Sequence, residues 1–66
     1  MTYTTSDDQG RRYQAATIEG ALAQAVMMVY AHGKALAEAR AELADGKVAR
    51  LTYGFKTVTI EPGVAA

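Results

Sequence analysis

His32 is the one side chain in this sequence whose ordinary pKa lies near neutrality, so acid–base chemistry has to start there. A histidine base needs a nucleophile or a polarised group within hydrogen-bond reach. On a helix its neighbours three and four positions away are Met28, Val29, Ala35 and Leu36, none of which can share a proton. His32 therefore reads as a residue beside a helix break or at an interface, and no catalytic residue is expected. Asp7 and Asp8 are adjacent in the cluster "SDDQG", where turn chemistry accounts for them more simply than a metal does. Cysteine is absent, which removes disulfides and thiolate ligands together, and one histidine cannot build a zinc site alone. No cofactor and no metal are expected.

The remaining chemistry belongs to cations. Arg11, Arg12, Arg50 and Lys56 would form a modest basic patch if two hairpins lay side by side, with Tyr3, Tyr53 and Phe55 offering rings on which single-stranded nucleic acid stacks. Seven basic and seven acidic residues leave a net charge of zero, however, which argues against a large phosphate footprint. Arg40 stands out for another reason. It falls on a helical stripe between Leu36 and Leu43 where leucine is expected, so it either snorkels past the end of the hairpin or pairs with a carboxylate, Glu61 or one on another chain.

The elements that must carry these residues are few. A chain of 66 residues makes one small domain, and a domain this size buries only about 60% of its unfolded surface. Without disulfides or a metal, oligomerisation is the remaining route to extra burial. No run of apolar residues is long enough to span a bilayer, and "MTYTTSDDQG" is polar and acidic, unlike a signal peptide. These features point to the cytoplasm.

"TYTTSDDQGRRYQAAT" has strand chemistry on both sides of a turn cluster and predicts a hairpin; residues 1–12 as a disordered arm are the other reading. Thr17 is placed to cap a helix, with Glu19 in its first turn and Asp45-Gly46 to stop it. Between them Ile18, Leu22, Val26, Val29, Gly33, Leu36, Arg40 and Leu43 recur at steps of three and four and predict the core face of one long alanine-rich helix over 17–45. Such a helix would run about 40 Å, twice the length of a six-residue strand, so a break at His32-Gly33 is the alternative. Residues 47–61 predict a second hairpin. With Tyr53-Gly54 at the turn, Leu51 faces Lys56 and Ala49 faces Val58, gathering Ala49, Leu51, Val58 and Ile60 on one side. Val64 to Ala66 reads as a frayed tail.

From Ala25 to Ala31 the helix carries no charge and no amide. At 100° per residue Met27 lies opposite the core stripe, with Met28 and Tyr30 on its flanks. Methionine and tyrosine suit adaptable interfaces, so Met27, Met28 and Tyr30, with His32 and Arg40 at the edge, are the expected protein-contact residues. A homodimer through the helix is the simplest arrangement.

"ALAEARAELADGKVARLTYGFKTVTIEP", residues 35–62, resembles the small head–tail joining proteins of tailed phages, the lambda W-like connector family. The resemblance rests on an alanine-rich helix ending in A-x-A-x-L-x-x-G and a hairpin with an aromatic-glycine turn and a second strand rich in Val and Thr. The corresponding residues are Ala39, Ala41, Leu43, Gly46, Tyr53, Gly54, Val58 and Thr59. In that family a second helix follows the hairpin; here "GRRYQAATIEGALAQAV", which looks similar to the family's strand-to-second-helix segment, precedes it. The family is also usually basic, whereas this chain is neutral. The resemblance implies a phage or prophage origin, a structural role, and residence in the host cytoplasm or the virion.

The expected fold is α+β, of order ββαββ, with one alanine-rich helix packed on the C-terminal hairpin. The expected function is non-enzymatic protein–protein interaction as a homo-oligomer, in phage or prophage structure and assembly. A small phage inhibitor of a host enzyme or defence complex and a weak nucleic-acid-binding module are the other two readings.

Overall fold

The computed structural model describes residues 2–29 and 33–63. Its elements are β1 (Thr2–Asp7), β2 (Arg12–Ala15), α1 (Ile18–Met28), α2 (Gly33–Ala44), β3 (Ala49–Tyr53) and β4 (Lys56–Gly63). The strands form one antiparallel sheet in the order β2-β1-β4-β3, so the chain's first and fourth strands pair at its centre. The fold is α+β, as expected, with the two hairpins joined edge to edge.

The single long helix is not what forms. Val29 leaves α1 with extended backbone angles, φ −144° and ψ 142°, while its N–H still bonds to the Ala25 carbonyl, and a second helix begins at Gly33. Length explains the division. Helices of 11 and 12 residues run about 17 and 18 Å at 1.5 Å per residue, which matches the strands beneath them. An unbroken helix would carry half its apolar face beyond the sheet.

The predicted ends hold well. The Thr17 side chain accepts from the Gly20 N–H at 3.0 Å, capping α1. At the end of α2, Gly46 adopts φ +78° while its own N–H reaches the Leu43 carbonyl and the Lys47 N–H reaches that of Glu42. These two bonds make a Schellman motif, which needs the left-handed conformation that glycine adopts without strain.

The second hairpin forms with its register moved by two residues. Leu51 pairs with Val58, Ala49 with Ile60 and Tyr53 with Lys56, leaving Gly54-Phe55 as the two-residue turn. Gly54 has φ +63° and Phe55 does not share a positive φ, the pattern of a type II′ turn with glycine in its first central position. A two-residue shift preserves the faces, so Ala49, Leu51, Val58 and Ile60 are all buried on the side that carries the helices.

Both helices seat on alanines. The buried positions are Ala21, Leu22, Ala25 and Val29 around α1, with Ala39 and Leu43 on α2. The expected stripe is corrected at three places: Val26 is half exposed, Gly33 is exposed, and Arg40 lies at the edge of α2, where its guanidinium bonds Glu19 on α1 at 2.9 Å. Small residues let a helix backbone approach a sheet closely, so each helix rolls toward its alanines and leaves bulkier neighbours outside. Arg40 thus finds its carboxylate between the helices and not at Glu61. Both partners of that pair are well exposed, and it adds little stability.

Thr5 is the anomaly of this core. It is fully buried between Tyr13 and Ile60 in the sheet, and its hydroxyl has no hydrogen-bond partner. A buried polar group without a partner costs roughly 1–3 kcal/mol, and valine matches threonine in shape. Thr5→Val is expected to raise stability by about 1 kcal/mol, read as a higher urea midpoint with an unchanged slope.

Candidate protein-interaction surface

The pairing of Asp7 with Val58 brings the two hairpin turns to the same end of the sheet, and the C-terminal turn of α1 reaches that end from above. The consequence is a gathering of apolar side chains that the core does not absorb. Met27 is 88% exposed, opposite the buried face of α1, and the Phe55 ring stands fully in solvent beside the turn glycine. Val26, Tyr13 and Tyr53 are each about half exposed. Met27 forms a ridge between two grooves. One, of about 380 Å³, is lined by Arg11, Tyr13, Gln24, Met27 and Met28. The other, of about 530 Å³, runs from Val26, Met27 and Val29 to Tyr53, Gly54, Phe55 and Lys56.

Of the expected contact residues, Met27 occupies the centre of this surface. Met28 is turned partly inward and packs against the core. Arg40 is held by Glu19 on the helix-helix side. Tyr30 and His32 lie outside the described residues, as do Val64 to Ala66. Sequence reasoning passed over Val26, Tyr13 and Phe55 as contact residues. Val26 falls on the expected core stripe and Phe55 among the rings expected for nucleic-acid stacking; the aromatic residues flanking the turn glycine in "YGF" are the signal available.

The four cations do not converge. Arg11 is engaged within its own hairpin: the Asp7 carboxylate accepts from the Gln9 N–H at 3.0 Å, the Arg11 N–H at 2.8 Å and the Arg11 Nε at 2.9 Å. Burial alone would raise the Asp7 pKa, but the two backbone N–H groups and the guanidinium outweigh it and hold the carboxyl below its ordinary value. Arg12 and Arg50 share one row of the helix-free sheet face, Arg12–Ser6–Thr59–Arg50, and are separated by three strand spacings, about 14 Å. Lys56 pairs with Tyr53 and belongs to the opposite face. The rings are elsewhere too, with Tyr3 buried and Tyr13 and Tyr53 on the helix side, so the face bearing Arg12 and Arg50 presents threonine and serine instead of a stacking platform.

Among the described residues no three histidine, aspartate or glutamate side chains gather as a metal site would require, and no helix is long and apolar enough to cross a membrane. Comparison with protein-family models, curated proteins and solved structures finds no match to this chain.

Proposed function

We propose that this protein works by non-enzymatic protein–protein contact, using the surface centred on Met27 and Phe55. The observation that carries this reading is the exposure of Met27 and Phe55 together with Val26, Tyr13 and Tyr53 at one end of the molecule. Single exposed apolar residues are ordinary, but a contiguous group rimmed by polar residues marks a docking surface. Methionine and aromatic side chains are also the types that such interfaces favour. The simplest occupant is a second copy, which would supply the burial that so small a domain lacks. The resemblance of residues 35–62 to phage head–tail joining proteins supports an assembly role in a phage or prophage.

Solution mass by light scattering across a range of concentrations tests this. A dimer is expected, and Met27→Lys is expected to dissociate it by at least tenfold in Kd while changing monomer stability by less than about 0.5 kcal/mol. A monomer at every concentration removes self-association through this surface and directs the search to a foreign partner.

A further inference from the structure

The two outer strands of the sheet are finished differently. In β2 the backbone groups that point away from the sheet belong to Arg12 and Gln14, since the Asp7 N–H bonds to the Arg11 carbonyl and the phase alternates from there. One of those groups is covered from above: the Gln24 side chain on α1 donates to the Gln14 carbonyl at 3.1 Å. In β3 the closing pair of the hairpin is Tyr53 with Lys56, so Leu51 and Ala49 bond inward while the N–H and C=O of Arg50 and Thr52 point out. No side chain among the described residues caps these four groups.

The flank of α2 on the side of the open edge is acidic. On α2, Ala39 and Leu43 face the sheet and Arg40 reaches α1. At 100° per residue, Glu38 and Glu42 then fall on the flank away from α1, over the outer side of β3, with which α2 makes its main sheet contact. Among the described residues neither glutamate has a cation within ion-pair distance. The open backbone and the two carboxylates therefore lie on the same side of the molecule.

The geometry points to β3 as the docking edge for an extended segment of another protein, added as a fifth strand, with lysine or arginine at the alternate positions that face α2. A second copy of this chain fits poorly. Pairing β3 with itself about a two-fold axis sets Glu38 and Glu42 of both copies flank to flank, and one of its hydrogen-bonding registers places Arg50 opposite Arg50. Main-chain bonds to Arg50 and Thr52 would supply affinity, and the carboxylates would select basic side chains. This inference is independent of the Met27 surface.

The test is an NMR titration of the full chain with a synthetic seven-residue peptide alternating threonine and lysine, beside its counterpart with glutamate for lysine. The lysine peptide is expected to slow amide exchange at Arg50 and Thr52 and to bind at least tenfold more tightly than the glutamate peptide at low salt. Thr52→Pro removes only an outward N–H, because Thr52 makes no ladder bond to β4, and is expected to weaken binding at least tenfold with the fold retained. The double variant Glu38→Lys, Glu42→Lys is expected to reverse the preference between peptides, and it decides the matter if the proline variant fails to fold. Equal binding of the two peptides, or no slowing of those two amides by the lysine peptide at millimolar concentration, overturns the proposal.

Discussion

Leu43→Ala is expected to leave much of the protein unfolded in water at 25 °C. Leu43 is 2% exposed and among the largest fully buried side chains, in the cluster with Leu51, Val58 and Ile60. Truncating a buried leucine costs about 2–5 kcal/mol, which includes the cavity left behind. A domain this small has only roughly 3–5 kcal/mol from its core, so the loss is comparable with the whole stability. Collapse of the helix onto the cavity is limited, because Leu43 stands just before the Schellman turn whose bonds from Gly46 and Lys47 fix the end of α2. A urea titration followed by circular dichroism should show a curve without a folded baseline. A loss below 1 kcal/mol would mean that α2 contributes little to holding the sheet.

The features legible in the sequence are those governed by local chemistry. Thr17 as a cap and Asp45-Gly46 as a stop depend on residues within one turn of each other, and both form. The faces of the second hairpin were legible for a related reason: side chains alternate with a period of two, so a register shifted by two residues leaves Ala49, Leu51, Val58 and Ile60 together. The turn itself was misplaced because tyrosine and phenylalanine flank Gly54 on either side and composition does not rank them. The division of the helix was weakly marked. Gly33 permits a break but does not require one, and the requirement comes from the length of the sheet, a tertiary fact. The neighbours of Arg40 were likewise hidden, since Glu19 lies 21 residues away and becomes its partner only when the two helices fold side by side.

The alanines mislead most, and they lead to the second large effect. In the sequence alanine signals helix propensity, and nothing distinguishes Ala23 from Ala25. In the fold Ala25 has no exposed surface and seats α1 on the sheet, while Ala23 faces solvent. Leucine at position 25 has to push α1 away from β1 and β2 or force neighbouring side chains off their rotamers, at about 1–3 kcal/mol. Leucine at position 23 meets no such wall and should stay within about 0.5 kcal/mol. Leucine and alanine are both good helix formers, so the comparison of Ala25→Leu with Ala23→Leu isolates packing from propensity. Thermal melts should separate the two by several degrees, given about 4–8 °C per kcal/mol for a domain of this size. Equal melting temperatures would show that α1 rests on the sheet loosely, and that the small residues are there for the helix alone.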